Sequence, residues 1–312
     1  MGRISAVGPG LAARIAALPP PVIIFNKSHS GSRLLAALLQ SQSVFMGSAL
    51  NESLDALPFL PLVEHIVLDY YPDFQRLWQR PELPVKIQDL LGDALDTHLA
   101  QHVPGTQWGW KLCETGYILP VLATVFPAAR FVHLIRDGRD VAFSDHVSPE
   151  LPFWRKIYFG TDQVRSWRGM RLDNAAYERR PHLYNACHWQ ESVRVGRSFG
   201  AMLGPDYREM RYEQLCADLP AEGRALLAWL GIPVGETALA ASAARVDFRR
   251  EGKYRARPRG QQRAVLRIIE KTLIACGYSS EPLPYALGDT LRANLQRLKW
   301  SMLRRLGRGA HG

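Results

Sequence analysis

The chain of 312 residues holds 39 lysine and arginine residues against 29 aspartate and glutamate residues, so its formal net charge is +10 with histidine neutral. This length can bury a large core in one or two domains, and the positive charge suits a polyanionic ligand, nucleic acid or a membrane surface. The four cysteines are widely spaced without a C-x-x-C pair, which argues against a zinc site and a disulfide scaffold. The sequence shows neither a charged-then-apolar leader nor an apolar span of about 18 residues, so we expect a cytoplasmic protein.

The first predicted elements are a short helix over residues 8–18 and a strand over residues 22–25 (VIIF). A polar loop containing a glycine follows the strand, and a helix rich in leucine and alanine follows the loop. This order is typical of an anion site, because the backbone N–H groups at the helix start lack partners and the helix dipole adds about half a positive charge there. The candidate groups are Lys27, His29, Ser30, Gly31, Ser32 and Arg33.

This loop differs in sequence from a nucleoside-triphosphate loop. The pattern G-x-x-x-x-G-K-[ST] is absent, since Gly31 is followed by Ser32 and Arg33. No pair of lysine and hydroxyl residues is therefore placed to reach a γ-phosphate and hold magnesium. An ordinary strand, turn and helix with a serine cap is the alternative interpretation of the segment.

The next predicted elements lead to two further strands. Residues 48–82, rich in leucine, proline and aromatic residues, predict a helical insertion near the polar loop, and residues 85–103 predict a helix. A strand follows at 108–112 (WGWKL), and a crossover helix over 118–126 leads to a strand at 131–135 (FVHLI).

A second polar loop, RDGRD at residues 136–140, begins where the last of these strands ends. In an open parallel sheet, ligands bind outside the carboxyl ends of the strands. Arg136 stands at the strand end, and Ser144 follows about two helical turns later. An arginine fork together with a serine hydroxyl suits a second phosphate group.

The remaining elements continue the alternation of helices and strands. Residues 147–181, rich in arginine and tryptophan, predict an irregular cover for an acceptor. They are followed by a helix at 184–202, a strand within 206–213, helices at 221–230 and 237–244, a basic loop at 248–260 and a helix at 262–276. The alternation predicts a single α/β domain, with a core at about residues 20–280 and a basic helical extension at 281–312.

The two polar loops together resemble the sulfotransferase family, whose sulfuryl donor is 3′-phosphoadenosine-5′-phosphosulfate (PAPS). The resemblance rests on Ser30-Gly31-Ser32 after a strand and on Arg136 and Ser144 in the frame L-I-R-D-x-R-D-V-x-x-S. Further matching pieces are WGWK at 108–111, RYEQL at 211–215, WLGIP at 229–233, GKYR at 252–255 and CGY at 276–278. The resemblance covers about residues 20–280 and implies a P-loop-like parallel sheet flanked by helices, of the sulfotransferase type.

The resemblance also implies which residues hold the donor. Residues 30–34 correspond to the family's 5′-phosphosulfate loop, and Arg136 and Ser144 correspond to its 3′-phosphate motif. Family members close a glycine-containing basic loop over the 3′-phosphate, and here that loop supplies Arg249, Gly252, Lys253, Tyr254 and Arg255. The expected co-substrate is PAPS and the expected product is adenosine 3′,5′-bisphosphate (PAP). No metal is expected, because lysine and arginine can replace its charge.

The expected base departs from the family's pattern. Many members carry a histidine two residues after the strand lysine, but here Lys111 is followed by Leu112, Cys113 and Glu114. We expect Glu52 to take the acceptor proton, because the segment that contains it should lie over the sulfuryl end of the donor. Burial there would raise the pKa of the Glu52 carboxylate. Glu114, at the end of the neighbouring strand, is the second candidate.

Other residues complete the expected catalytic and acceptor groups. Asn51 and Asp55 lie where bacterial relatives place residues that contact the acceptor, and Asp55 is a further candidate base. Lys27, His29 and Lys111 are expected to stabilise the departing phosphate by their charge or hydrogen bonds. Sulfuryl transfer resembles phosphoryl transfer, so in-line positioning and electrostatics are expected to supply most of the catalysis.

The acceptor and two other functions stay open at this point. The resemblance is compatible with a glycan, a lipid-linked sugar, a small hydroxylated molecule or a peptide tyrosine as acceptor. The accepting group is expected to be a hydroxyl or an amine. The alternatives are a nucleotide-dependent phosphotransferase and a non-catalytic basic module that binds nucleic acid or membrane. We expect no nucleic-acid partner. The segment at 295–309 (LQRLKWSMLRRLGRG) predicts either a docking helix or a weak contact with acidic lipid at the inner membrane face.

Overall fold

The computed structural model describes residues 7–144, 151–159, 166–167, 170–171, 179–244, 246 and 251–280. Its strands are β1 (Val22–Asn26), β2 (Gly109–Lys111), β3 (Arg130–Ile135), β4 (Ser166–Trp167), β5 (Met170–Arg171) and β6 (Tyr207–Arg211). Within the described residues, β2, β1, β3 and β6 form a parallel sheet in that order, and β4 pairs with β5 in an antiparallel ribbon. The predicted α/β class with a parallel sheet is therefore confirmed.

The helices of the described residues flank this sheet and connect its strands. They are α1 (Pro9–Ala16), α2 (Ser32–Ser41), α3 (Leu60–Asp69), α4 (Gln75–Trp78), α5 (Val85–His98), α6 (Leu119–Val125), α7 (Gly138–Ala142), α8 (Pro152–Phe159), α9 (Pro181–Leu203), α10 (Tyr212–Ala217), α11 (Leu219–Leu230), α12 (Glu236–Ala243) and α13 (Arg259–Ala275). Short 3₁₀ helices cover Leu57–Phe59, Cys113–Ile118, Gly204–Asp206 and Lys253–Ala256.

Strand β1 occupies an interior position of the sheet, because its first four residues are apolar and the whole strand is buried. Its residues alternate between two core layers: Ile23 and Phe25 belong to one hydrophobic cluster, and Val22 and Ile24 belong to the other. Helices therefore cover both faces of the sheet, as the apolar run predicts.

The register brings the carboxyl ends of three strands to one edge. Ile24 of β1 stands opposite Lys111, the last residue of β2, and opposite Val132 of β3. Since the strands are parallel, the segments that follow Asn26, Lys111 and Ile135 all leave from the same side of the sheet. These are the segments in which the sequence places the candidate groups.

Several predicted boundaries differ from the structure. The helix predicted over 85–103 ends at His98, because the chain turns there into the loop that precedes β2. The predicted crossover helix at 118–126 is shorter, since residues Cys113–Ile118 form a 3₁₀ helix before α6 begins. In the predicted basic loop, Lys253–Ala256 is a 3₁₀ turn, and α13 begins at Arg259, after the helix-starting Pro258. The predicted extension at 281–312, Arg249 and most of the predicted acceptor cover lie outside the described residues.

Among the described helices, none combines the length and apolar character that crossing a membrane requires.

Candidate active site at the carboxyl edge of the sheet

The first loop, residues 27–31, turns sharply between β1 and α2. Gly31 adopts φ of +87°, a left-handed conformation that glycine takes without steric cost. A Cβ atom at this position would lie 2.2 Å from the ring of Tyr212. The close packing of this ring against the backbone therefore also requires a residue without a side chain. His29 has a positive φ of 67° as well, which makes this loop a tight and specific backbone arrangement.

The loop buries two polar side chains and exposes a third, and the first turn of α2 adds an exposed arginine. Lys27 and Ser30 are buried, and the Ser30 Oγ atom has no hydrogen-bond partner among the described residues. The side chains of His29 and Arg33 are exposed. Buried polar atoms are nearly always hydrogen-bonded, so the Ser30 hydroxyl is an atom that a ligand can satisfy. Of the remaining predicted members, Ser32 is buried at the start of α2 and Leu34 is half-buried.

Lys27 is a buried cation beside a buried acid. Its Nζ atom donates a hydrogen bond to Ser28 Oγ at 2.5 Å. Burial lowers the pKa of Lys27 from its ordinary value, and the negative charge of Glu114 opposes this shift. An anion bound in the loop would favour the charged form of this lysine for the same electrostatic reason.

Arg136 leaves the end of β3 and contacts the first loop directly. Its Nη1 donates to the carbonyl oxygen of His29 at 3.1 Å, and its Nη2 lies 3.3 Å from Asp140 Oδ2. The guanidinium also covers the ring of Tyr212, 4.8 Å from the ring centroid. The indole N–H of Trp189 donates to the Arg136 carbonyl oxygen at 3.0 Å, which fixes the backbone at the strand end. The two sequence-predicted phosphate segments therefore meet at this arginine.

The basic loop that sequence similarity places near the 3′-phosphate lies against the same segment. The backbone N–H groups of Gly252 and Tyr254 donate to the Asp140 carboxylate at 2.8 and 3.0 Å. Tyr254 is buried, whereas the side chains of Lys253 and Arg255 are exposed on either side of it. Arg136, Asp140, Gly252 and Tyr254 are called the arginine segment below.

Ser144 belongs to the end of the same helical stretch. Its Oγ donates to the carbonyl oxygen of Asp140 at 3.1 Å, and its own carbonyl oxygen accepts from Asn185 Nδ2 at 3.2 Å. Asn185, on α9, also donates to the carbonyl oxygen of Ala142 at 3.1 Å. The serine hydroxyl is thus turned back onto the helix backbone, one hydrogen bond away from Asp140.

A second group of charges lies where β2 ends. Lys111 is buried, and its Nζ pairs with Asp55 Oδ1 at 2.6 Å and donates to the Ser53 carbonyl oxygen at 2.8 Å. Asn51 Oδ1 accepts the N–H groups of both Ser53 and Asp55 at 2.9 Å. Asn51 and Asp55, the predicted acceptor residues, therefore shape the 51–55 turn and tie it to the strand lysine.

Glu114 and Glu52, the two main candidate bases, differ sharply in burial. Glu114 is buried in the 3₁₀ helix after β2, and burial together with the negative charge of Asp55 raises its pKa, while Lys27 and Lys111 oppose this. Glu52 is exposed at the tip of the 51–55 turn, so the burial on which its selection depended is absent. Lys27, Asp55, Lys111 and Glu114 are called the lysine cluster below.

Cys113 stands in this neighbourhood as an inert thiol. Burial raises its pKa well above the ordinary value, and the adjacent Glu114 charge adds to the shift. Its Sγ atom lies 3.9 Å from Asp55 Oδ1.

Sequence reasoning missed the residues that hold the arginine segment together. Asp140 was within the quoted RDGRD motif, and its signal was a carboxylate in a loop otherwise suited to anions. Trp189 gave no signal beyond its place in a predicted helix. Glu213 was also missed: its Oε1 accepts the Asp137 N–H at 2.9 Å and its Oε2 accepts the Tyr278 hydroxyl at 2.7 Å.

A model of the sulfotransferase family matches residues 20–236, which is more than half of the chain. No curated protein matches the chain significantly.

The solved structures that match this chain share little sequence with it. The sulfotransferase domain from the Synechococcus PCC 7002 olefin synthase is 16% identical with a TM-score of 0.47, over 86% of this chain and 97% of that domain. Sulfotransferase STF9 from Mycobacterium avium is 14% identical with a TM-score of 0.47, over 86% of this chain and 80% of that one. Retinol dehydratase, solved in complex with androsterone and the inactive cofactor PAP, is 16% identical with a TM-score of 0.32, over 82% of this chain and 73% of that one. The family assignment depends on the family model alone.

Proposed function

Since the chain belongs to the sulfotransferase family, whose members are PAPS-dependent enzymes, we propose that it moves a sulfuryl group from PAPS to a hydroxyl or amine of a glycan or small-molecule acceptor. The observation that carries this proposal is the position of Arg136. Its guanidinium contacts the first loop at His29 and, through Asp140, the basic loop at Gly252 and Tyr254. Three segments that the family resemblance assigns to donor phosphates thus converge on one buried cation.

The residues at this edge fit the donor's anionic groups. The buried Ser30 hydroxyl has no partner among the described residues, and the N–H groups at the start of α2 add positive potential beside it. Lys27 lies on the same loop, and Lys253 and Arg255 are exposed on the basic loop. We assign the 5′-phosphosulfate end to the first loop and the 3′-phosphate to the arginine segment together with Ser144.

The donor supplies a sulfuryl group joined to a phosphate oxygen that can leave. The acceptor oxygen or nitrogen forms the new bond to sulfur while the bond from sulfur to that phosphate oxygen breaks, and PAP departs with the electron pair. The chain's part is to hold the donor, to place positive charge near the leaving phosphate and to accept the acceptor's proton. Lys27 and the exposed His29 are proposed for the leaving phosphate, and Lys111 for holding the adjacent acidic groups.

We assign the proton acceptor to Glu114 and keep Glu52 as the competing candidate. A carboxylate whose pKa is raised by burial is a stronger base at neutral pH than an ordinary one. Glu114 meets this condition. The neighbouring positive charges of Lys27 and Lys111 oppose this rise in the pKa of Glu114.

A screen of acceptors with ³⁵S-labelled PAPS tests the reaction and its acceptor class. We expect transfer of label to at least one hydroxylated sugar, phenol or amine, without added metal. Thermal-shift measurements with PAP and with AMP test the donor separately, because only PAP carries the 3′-phosphate that Arg136 is proposed to bind. Equal shifts with both nucleotides would remove the second phosphate site, and magnesium-dependent ATP turnover without label transfer would favour a phosphotransferase instead.

A further inference from the structure

We propose that Asp140 is a positioning residue that clamps the basic loop at residues 251–257 onto Arg136 and thereby completes the site for the donor's 3′-phosphate. The inference rests on the proposed function, since it concerns how the same donor is held. Asp140 itself is acidic, so it is not expected to contact the phosphate.

Both carboxylate oxygens of Asp140 are engaged by other parts of the chain. Oδ2 accepts the Gly252 N–H at 2.8 Å and lies 3.3 Å from Arg136 Nη2, and Oδ1 accepts the Tyr254 N–H at 3.0 Å. The side chain is 2% exposed, so its charge is balanced by these groups rather than by water. One carboxylate therefore joins the end of β3 to a loop more than a hundred residues further along the chain.

The conformation of the basic loop suits this clamp. Gly252 has φ of +69°, and its own N–H and that of Tyr254, in the turn that follows, both donate to the same carboxylate. The Arg139 guanidinium covers the ring of Tyr254 at 4.5 Å, while Asp137 holds Arg139 at 2.7 Å. The backbone and the one buried side chain of the turn thus lie against α7, and Lys253 and Arg255 are left exposed.

The negative charge of Asp140 allows an experiment to distinguish two possible roles of this residue. A negative charge beside a phosphate site repels the phosphate, so removing that charge alone should tighten phosphate binding. Removing a clamp should have the opposite effect, because the basic loop would then have to be ordered when the donor binds. The sign of the change in affinity therefore separates a positioning role from a purely electrostatic one.

The experiment is calorimetric titration of the full chain with PAP and with AMP, comparing wild type with Asp140→Asn. We expect the variant to bind PAP about tenfold more weakly, equivalent to about 1.4 kcal/mol, and to bind AMP within about twofold of wild type. Asp218→Asn is the matched control, since the exposed Asp218 carboxylate also accepts a backbone N–H, that of Ala221 at 3.0 Å, but lies outside the site. The control should leave both affinities unchanged.

Unchanged or tighter PAP binding by Asp140→Asn, or an equal loss for PAP and AMP, overturns the proposal. If Asp140→Asn does not fold, Gly252→Ala decides, because a side chain is strained at φ of +69° and disturbs the turn without touching Asp140. A loss confined to PAP supports the clamp, and an unchanged preference for PAP overturns it. A wild-type protein that does not distinguish PAP from AMP would instead refute the proposed function.

Discussion

The arginine segment and the lysine cluster lie along one edge of the sheet but handle charge differently. In the arginine segment, the buried cation and anion are joined to each other and to backbone groups by hydrogen bonds of defined geometry. In the lysine cluster, burial drives the pKa of Lys27 down and that of Glu114 up, so the two buried groups titrate nearer to each other than free side chains do. A site whose charges are held by hydrogen bonds of defined geometry suits binding, whereas a site with shifted pKa values suits proton transfer.

Replacing Glu114 tests the lysine cluster with the largest expected effect. Glu114→Gln keeps the shape of the side chain but removes its basicity, so the chemical rate should fall by about 10²–10⁴ while PAP affinity is retained. Single-turnover rates with labelled PAPS measure this directly. The control is Glu52→Gln, which should react at nearly the wild-type rate. The reverse pattern would move the base to Glu52, and near-normal rates for both variants would mean that neither carboxylate is the base.

Replacing Arg136 tests the arginine segment through the affinity for PAP rather than through the reaction rate. Arg136→Ala should weaken PAP binding by about 1.5–3 kcal/mol, because a charge-assisted phosphate contact is lost. Arg130→Ala is the matched control: Arg130 begins the same strand, at the opposite end of the sheet, and pairs with Asp206. Titration calorimetry of the two folded variants checks the prediction. A PAP affinity that is unaffected by the Arg136 substitution would assign this arginine a structural role only.

The pH dependence should distinguish the two regions in the unmodified protein. The base form of Glu114 is lost as pH falls through a pKa raised above 4.5, so the rate should decline on the acid side by about tenfold per pH unit. The charge of Lys27 is lost as pH rises through a pKa lowered below 10.5, so the rate should also decline on the alkaline side. The preference for PAP over AMP should stay constant above about pH 7, where the phosphates and arginine keep their charges. A flat rate profile, or a preference that follows the rate, would contradict this division.

A smaller effect is expected from replacing Tyr278, whose hydroxyl contacts the end of β3 and, through Glu213, the backbone of Asp137. The Tyr278 hydroxyl lies 2.7 Å from Glu213 Oε2 and 3.2 Å from the Ile135 carbonyl oxygen, and Glu213 in turn holds the Asp137 N–H. Tyr278→Phe should lower the free energy of unfolding by about 0.5–1.5 kcal/mol and weaken PAP binding a few-fold. Urea titration and calorimetry measure the two quantities, with Tyr70→Phe, at the end of α3, as the matched control. An identical change in the control would show that the effect is not specific to this network.

The local elements of the site could be predicted from the sequence because their signals are local. A short apolar run followed by a polar loop and a leucine-rich segment was enough to place β1, the first loop and α2 in order. The RDGRD motif likewise placed a polar loop at the end of β3. These predictions depend on side-chain periodicity and turn chemistry, which act over a few residues.

Contacts between distant segments were decided only by the tertiary structure. Asp140 accepts hydrogen bonds from Gly252 and Tyr254, 112 and 114 residues away, and no pattern within either segment predicts this contact. The choice between Glu52 and Glu114 turns on burial, and both residues look alike as isolated carboxylates in the sequence. The register of parallel strands brings β1, β2 and β3 to a common edge, and packing then sets which charges are paired, which are buried and which remain exposed.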